Sequence, residues 1–142
     1  MSKELEESTI FNIDFTKLKK IAQCQEDVIP AIAQCAKTGE ILILGYANKL
    51  ALDTTFAKQK ATFWSTSRNE LWTKGETSGD FLELVDVLVN CEQNSIVYKV
   101  NVVNKGSCHT KKANGEVRYG CYYRKIQSTN QSLSLEFLPN QK

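Results

Sequence analysis

The sequence contains little histidine, methionine, proline or glycine, and it has no long apolar run. Its 142 residues include one histidine, one methionine, two prolines and seven glycines, with 42% hydrophobic and 24% charged residues. This composition excludes collagen-like and disordered chains. No window approaches the roughly 18 apolar residues of a membrane span, and the acidic N-terminus has no apolar stretch of signal-peptide length. We therefore expect a cytoplasmic globular protein with no membrane partner.

The length and the net charge limit the number of domains and the kind of partner that the protein can bind. A chain of 142 residues is typical of one compact domain, so we expect a single domain over residues 1–142. The formal net charge of +2 does not favour a nucleic-acid-binding protein. Basic residues nevertheless outnumber acidic ones between Lys99 and Lys125, where Glu116 is the one acidic side chain. This stretch can attract an anion, or its lysines can simply keep a loop soluble.

Alternating apolar residues and turn signals predict a mainly β, α+β domain with about two helices. Asp14 suits the N-terminal cap of a short helix, and Asn48 suits the cap of a second helix that ends near Lys58. In the second helix, Leu52 and Phe56 are one turn apart and are expected on the buried side.

Six segments are expected to be extended, and one is expected to be a loop. "VIPAIAQC" and "ILILGY" predict one hairpin, and "FLELVDVLVN" and "SIVYKVNVV" predict a second with Cys91 at its tip. "RYGCYYRKIQ" predicts a further strand. "ATFWSTS" is extended, whereas the polar "RNELWTKGETSG" is predicted to be a loop around Trp72.

The five cysteines offer candidate metal ligands. Because their number is odd, at least one stays unpaired within the chain, and the expected reducing compartment argues against disulfides among the rest. Cys24 and Cys35 lie in apolar surroundings, whereas Cys91, Cys108 and Cys121 lie at strand ends or in loops, where side chains can converge. Three thiolates and a water suit a catalytic zinc ion. Since no CxxC pair is present, three unrelated buried cysteines remain the alternative.

The single histidine lies in "GSCHTKKANGEVRYGCYYRK", directly after Cys108. With an ordinary pKa of about 6.5, His109 is suited to proton transfer near neutral pH, or it can be a fourth metal ligand. A lone surface histidine is the alternative.

The segment "WSTSRNELWTKGETSG" combines groups that bind phosphate with two indoles. Hydroxyls, a guanidinium and backbone N–H groups suit a phosphate, while Trp64 and Trp72 suit a flat base. A polar loop over a tryptophan-anchored core is the alternative. No Walker or dinucleotide fingerprint is present. The polar candidates are Ser65, Ser67, Arg68, Lys74, Thr77 and Ser78.

These motifs together resemble the phosphoribosyl-AMP cyclohydrolases of histidine biosynthesis. The resemblance extends from about Val28 to Ile126 and is most specific in the tryptophan-bearing segment, "CHT" and "CYYRK". It implies a mixed-sheet pseudobarrel in an intertwined homodimer. It also implies a zinc ion shared between chains, held by Cys91 of one chain and by Cys108 and Cys121 of the other.

The implied reaction is hydrolytic opening of the purine ring of N1-(5-phosphoribosyl)-AMP between N1 and C6. Zinc would activate a water, and His109 would take or shuttle its proton. The resemblance assigns substrate binding to the tryptophan-bearing segment: Trp64, Ser65, Ser67, Arg68, Trp72, Lys74, Gly75, Glu76, Thr77 and Ser78.

Two departures from the family pattern bear on this interpretation. Asn90, Glu92 and Asn94 occupy positions where the family has magnesium-binding aspartates, and the loss of two charges should weaken magnesium binding substantially. The segment between Cys108 and Cys121 is longer than in the family, an insertion that a surface loop absorbs at small entropic cost. Two alternatives follow: a diverged paralogue that hydrolyses a related nucleotide, and a non-catalytic, zinc-stabilised module that binds nucleotide or RNA.

Overall fold

The computed structural model describes residues 3–142. Helices and strands follow one another along these residues in the order that we use for their labels. They are α1 (Lys3–Glu7), α2 (Lys17–Ala22), β1 (Ile29–Cys35), β2 (Ile41–Ala47), α3 (Lys49–Lys58), β3 (Thr62–Ser65), β4 (Glu70–Thr73), β5 (Leu82–Val89), β6 (Ile96–Val102), β7 (Arg124–Thr129) and β8 (Ser132–Phe137).

The largest sheet has the strand order β2-β1-β6-β5 and is mixed. β1 pairs with β2 and β5 pairs with β6 in the two predicted antiparallel hairpins, while β1 and β6 run parallel in the centre. The β1–β2 turn contains Gly39 at a φ of 79°, and its N–H donates to the carbonyl of Cys35 at 2.9 Å. Glycine suits this turn because it adopts positive φ without steric cost. The predicted mainly β, α+β class is confirmed.

The second predicted helix is present, but its buried face differs from the expectation. The Asn48 side chain caps α3 by accepting a hydrogen bond from the N–H of Ala51 at 2.8 Å. Ala51 and Thr55 are buried, Leu52 is only partly buried, and Phe56 is 51% exposed. Small residues face the sheet because α3 lies close to β3, where the Thr55 hydroxyl accepts a hydrogen bond from the N–H of residue 62 at 3.0 Å.

The N-terminal helices differ in detail from the prediction. α2 is capped at Thr16, not at Asp14. The Asp14 carboxylate instead accepts hydrogen bonds from the N–H of Thr16 at 3.0 Å and from Lys20 Nζ at 2.7 Å. The hydrogen bond from Lys20, followed by those from the hydroxyl and the N–H of Thr16, lowers the pKa of Asp14 to about 2. α1 was not predicted, so the described residues contain three helices instead of about two.

Two strand predictions need correction. The segment predicted as a loop around Trp72 contains β4, which pairs with β3 so that Phe63 is opposite Trp72. The two rings pack at 5.5 Å between centroids, and this contact favours an extended backbone over a loop. The strand predicted over "RYGCYYRKIQ" begins only at Arg124, and it pairs with the unpredicted β8.

The core lies where α3, β3 and the large sheet meet. Along β1 and β6, buried side chains alternate with less buried ones, as expected for strands with one covered face. No helix among residues 3–142 is long and apolar enough to cross a membrane. The core includes Ala31, Ala33, Leu42, Phe63, Leu82, Tyr98 and Val100.

Candidate active site

A cavity of about 230 Å³ gathers residues from four separate parts of the chain. The tryptophan-bearing segment, the "CHT" motif, "CYYRK" and β2 all contribute to its wall. The structure thus brings together several of the side chains that the sequence singled out. The cavity is lined by Ile43, Trp72, Lys74, Gly75, Thr77, Ser78, Ser107, His109 and Cys121.

A tightly folded loop after β4 forms one side of this cavity. Gly75 has a φ of 97°, and a Cβ atom at this position would lie 2.5 Å from the backbone nitrogen of Phe81. The N–H of Gly79 donates to the carbonyl of Gly75 at 2.7 Å and closes the turn. Glycine is therefore required at position 75 both for its φ angle and for the close approach of the two backbone segments.

Lys74 supplies a buried cation at the cavity wall. The residue is 6% exposed, and its Nζ donates to the carbonyl of Asp80 at 3.4 Å. Burial lowers the pKa of Lys74, while the negative charges of Asp80, Cys121 and Cys108 act in the opposite direction. A partly desolvated ammonium beside a cavity is suited to binding an anionic group of a ligand.

Cys108 and Cys121 form a pair of thiols beside this lysine. Cys108 is 2% exposed, and its sulfur lies 3.0 Å from the Thr110 hydroxyl. The neighbouring Cys121 side chain lowers the pKa of Cys108 below its ordinary value, and Cys108 raises the pKa of Cys121. One thiolate is thus stabilised by a neighbouring thiol, which is the arrangement expected of two soft ligands at one site.

Cys91 lies at the exposed tip of the β5–β6 hairpin, as predicted. Among residues 3–142 of one chain, no group of three or more cysteine, histidine, aspartate or glutamate side chains is placed to hold a metal ion. A single chain therefore gathers two of the three candidate zinc ligands and not the third.

The hairpin tip is closed by its own amide side chains. The Asn90 Oδ1 atom accepts hydrogen bonds from the N–H groups of Asn94 and Ser95 at 2.9 and 3.0 Å. Asn90 Nδ2 donates to Asn94 Oδ1 at 2.7 Å, and Asn94 Nδ2 lies 3.4 Å from Glu92 Oε2. The two amide oxygens among the suggested magnesium ligands are therefore engaged within the turn.

His109 is an exposed residue that touches an unpredicted partner. Its side chain is 62% exposed, and its Nε2 atom lies 2.6 Å from the Glu6 Oε2 atom of α1. Sequence reasoning missed Glu6 because 103 positions separate the two residues. The acidic N-terminus was visible in the sequence, but nothing in it indicated a histidine partner.

Several residues expected to bind substrate lie outside the cavity lining. Trp64, Ser65 and Ser67 belong to β3 and to the turn after it, and the Trp64 Nε1 atom is buried without a hydrogen-bond partner. Arg68 Nε lies 3.7 Å from a Glu70 carboxylate oxygen. Glu76 also lies outside the lining and forms an ion pair with Lys58, with 3.1 Å between Glu76 Oε1 and Lys58 Nζ. Sequence reasoning also missed the lining residues Ile43 and Ser107, although the second adjoins Cys108.

Comparison with known proteins identifies the family. The family model described as phosphoribosyl-AMP cyclohydrolase matches residues 43–123, which include every residue of the cavity lining. The chain belongs to the phosphoribosyl-AMP cyclohydrolase family. It is therefore an enzyme, and the non-catalytic alternative is set aside. α1, and Glu6 within it, lie outside the matched segment.

Curated members of the cyclohydrolase family resemble the chain over most of its length. The phosphoribosyl-AMP cyclohydrolase of Chloroherpeton thalassium is 42% identical over 108 residues, which cover 76% of this chain and 72% of that protein. The enzyme of Hyphomonas neptunium is 43% identical over 103 residues, covering 72% and 73%. The chloroplastic histidine biosynthesis bifunctional protein of Arabidopsis thaliana is 42% identical over 109 residues, covering 77% of this chain and 36% of that protein.

Proposed function

We propose that this cyclohydrolase opens the purine ring of N1-(5-phosphoribosyl)-AMP by hydrolysis of the N1–C6 bond. The observation that carries the proposal is the cavity that unites Lys74, His109 and Cys121. The names of the curated relatives support the same reaction. The alternative is that the enzyme has diverged and hydrolyses a related nucleotide. The altered hairpin tip and the inserted loop are the features that support this alternative.

Within this proposal, the loop after β4 holds a phosphate of the substrate. The Lys74 ammonium supplies charge, and the Thr77 and Ser78 hydroxyls supply donors from the same wall. Trp72 lies on the cavity wall as well and offers an apolar surface to the flat purine ring. These contacts would fix the ring in place beside His109.

The ring opening requires a proton acceptor and a proton donor. Hydrolysis adds the oxygen of one water molecule to C6 and breaks the N1–C6 bond. One proton leaves the water, and one reaches the released nitrogen. We assign both transfers to His109. Since Nε2 lies 2.6 Å from Glu6 Oε2, Nδ1 is the nitrogen that exchanges the proton.

The donor set fits a zinc ion shared between two chains. Cys108 and Cys121 are paired thiols at the cavity, and zinc prefers thiolate ligands. The third ligand would be Cys91 of the partner subunit, since one chain does not bring its own Cys91 to the pair. Bound zinc lowers the pKa of a coordinated water toward about 7.

Apolar residues near the hairpin tip support the homodimer. Val85, Leu88 and Val89 of the sheet-edge strand β5 are each about half exposed in the single chain. Apolar side chains exposed together on one strand are typical of a protein interface. We propose that a second chain covers them in the intertwined pseudobarrel dimer, in a reducing, cytoplasmic location where the thiols stay free.

The hairpin tip does not fit a magnesium ion. Magnesium prefers carboxylate and water oxygens in a strict octahedral arrangement. Here the Asn90 and Asn94 oxygens accept hydrogen bonds within the turn, and Glu92 offers the one carboxylate among the three side chains. We therefore propose a reaction that does not depend on magnesium at this tip.

An absorbance assay with phosphoribosyl-AMP tests the proposed function. Purified protein loaded with zinc should open the purine ring, and the change in ultraviolet absorbance reports turnover. Cys121→Ser and His109→Ala should each lower kcat by at least about 100-fold. Cys24→Ser is the matched control, because Cys24 Sγ donates to the carbonyl of Glu26 at 3.4 Å and Cys24 is not among the residues that line the cavity. Unchanged turnover in His109→Ala would contradict the assignment of proton transfer.

A further inference from the structure

We propose that Glu6 is a positioning residue for His109, and that the inserted loop between Cys108 and Cys121 docks α1 to bring it there. The inference rests on the proposed function, because Glu6 acts through the histidine. It concerns two parts of the chain that do not line the 230 Å³ cavity: α1 and residues 110–120.

The contact between the two side chains specifies the state of the imidazole. Glu6 Oε2 and His109 Nε2 are 2.6 Å apart. Since an ionised carboxylate only accepts hydrogen bonds, Nε2 donates in this contact, and in the neutral imidazole Nδ1 then keeps its lone pair. The partner of one ring nitrogen thereby sets the tautomer and the orientation of the ring. A histidine that is largely exposed would otherwise sample several rotamers.

Glu6 reaches the imidazole without entering the 230 Å³ cavity. A second cavity, of about 810 Å³, is lined by Glu6, Glu7 and the inserted residues Lys111 and Lys112, and His109 lines both cavities. His109 therefore separates Glu6 from the cavity where Lys74 lies. Glu6 is therefore placed to orient the His109 base without contacting the substrate.

The inserted loop provides the anchor for α1. Arg118 of this loop is 0% exposed, and its Nη1 and Nη2 atoms donate to the two carboxylate oxygens of Glu7 at 2.9 and 3.0 Å. Its Nε donates to the carbonyl of Gln141 at 2.8 Å, and its guanidinium lies 4.1 Å from the centre of the Tyr123 ring. One buried cation thus joins the loop, the N-terminal helix and the C-terminal end of the chain.

Further contacts fix the backbone of α1. The Tyr123 hydroxyl donates to the carbonyl of Glu6 at 2.7 Å, and Arg124 Nη1 donates to the carbonyl of Ser8 at 2.7 Å. The N–H of Leu135 in β8 donates to the carbonyl of Thr9 at 2.8 Å. A helix of five residues is too short to be stable alone, so these contacts determine where the Glu6 carboxylate lies.

Kinetics of Glu6→Gln test the positioning role. We expect kcat to fall about 10- to 100-fold with KM changed less than about twofold, because the base is misoriented while the phosphate contacts stay intact. Glu6→Asp should recover part of kcat. Glu4→Gln is the matched control, since it removes the same charge from an exposed position of the same helix. An unchanged or increased kcat in Glu6→Gln would overturn the proposal.

Nitrogen NMR of the single imidazole provides a readout that does not depend on activity. The chain has one histidine, so its side-chain ¹⁵N signals need no assignment by mutagenesis. At a fixed neutral pH, we expect Glu6→Gln to shift the Nε2 signal and to change the tautomer ratio, whereas Glu4→Gln leaves both unchanged. Identical spectra in the wild-type protein and Glu6→Gln would contradict the contact itself.

The two measurements separate this inference from the proposed function. If the zinc-loaded wild-type protein does not open phosphoribosyl-AMP, the proposed function fails, while the NMR comparison still reports whether Glu6 holds the ring. If His109→Ala retains full turnover, the assignment of proton transfer fails, and the positioning role of Glu6 fails with it. If His109→Ala is inactive and Glu6→Gln retains wild-type kcat, only the positioning role fails. Arg118→Met should lower kcat less than additively with Glu6→Gln, because both changes release the same contact.

Discussion

Arg118 binds both carboxylate oxygens of Glu7, at 2.9 and 3.0 Å, from a position that is fully buried. The Glu7 side chain is 33% exposed, so the pair has one desolvated end and one that meets solvent. Removing one partner of such a pair leaves the charge of the other unpaired. The resulting loss of folding free energy exceeds the net contribution of the intact pair to stability. The positions of the N-terminal helix, the inserted loop and the C-terminal residues thus all depend on the Arg118 side chain.

Arg118→Met should destabilise the fold by about 3 kcal/mol, because it removes three hydrogen bonds and the contact with Tyr123. Urea unfolding followed by circular dichroism measures the change. Lys125→Met is the control, since the Lys125 ammonium is 3.4 Å from Glu136 in an exposed pair that contributes little. A change below about 1 kcal/mol in Arg118→Met would show that the anchor is dispensable.

Acid should weaken the same anchor. The hydrogen bonds from Arg118 lower the pKa of Glu7 below its usual value of 4.5. A group whose folded-state pKa is lowered stabilises the protein above the unfolded value and loses this contribution as the pH falls through the folded value. We therefore expect the Tm advantage of the wild-type protein over Glu7→Gln to be constant above about pH 5 and to shrink below pH 4.5. A difference in Tm that does not vary between pH 7 and pH 3 would contradict the linkage.

Gly75→Ala should disrupt the cavity wall, whereas Gly39→Ala should not. Both glycines have positive φ, at 97° and 79°. A Cβ at position 75 would lie 2.5 Å from the Phe81 backbone nitrogen, but a Cβ at position 39 would meet nothing within 4 Å. We expect Gly39→Ala to cost about 1 kcal/mol and Gly75→Ala to cost about 1–3 kcal/mol more, with loss of activity. Equal Tm values for the two variants would refute the steric argument.

The sheet hairpins and the α3 cap were predictable because their signals are local. The Asn48 cap and the hairpin of "VIPAIAQC" with "ILILGY" depend on residues a few positions apart, and the structure confirms both. The burial of Ala51 and Thr55 in place of Phe56 was not predictable, because it depends on how closely α3 approaches β3. Likewise, β4 forms where polar composition suggested a loop, since Trp72 packs on Phe63.

The types of residue in the candidate site could be predicted from the sequence. Which individual residues line the cavity was less predictable. Lys74, Cys121 and His109 come together as their motifs suggested. Arg68 and Glu76 have the right chemistry for a ligand, but here they pair with neighbouring side chains at the surface. The spacing of residues along the chain does not predict which of them line the cavity, because this depends on the side of the turn on which each side chain lies.

Lys74→Gln should weaken substrate binding. Loss of a charge-assisted hydrogen bond costs about 1.5–3 kcal/mol, which corresponds to an increase of about 10- to 150-fold in KM for a phosphorylated substrate. Steady-state kinetics measure this change. Lys49→Gln is the control, since Lys49 forms an exposed ion pair with Asp53 on α3. A KM for Lys74→Gln within about twofold of the wild-type value would remove Lys74 from the binding site.

Magnesium should have no effect on turnover by the zinc-loaded protein, because the tip oxygens are engaged within the turn. Titration calorimetry with MgCl₂ should show no binding to the wild-type protein at millimolar concentration. The double variant with Asn90→Asp and Asn94→Asp restores two carboxylates beside Glu92, and it should bind magnesium measurably. Turnover of the wild-type protein that rises several-fold with magnesium would contradict this prediction.

The parallel pairing of β1 with β6 has a consequence for synthesis of the chain. The hairpin of β1 and β2 is complete by residue 47, but the neighbour of β1 on its other side begins at residue 96. At about 5–20 residues per second, the ribosome needs several seconds to supply that neighbour. During this interval the inner edge of β1 presents unpaired backbone groups, which are a template for pairing with another chain. The exposed edge of residues 29–35 is therefore open to pairing with another chain until residues 96–102 have been synthesised.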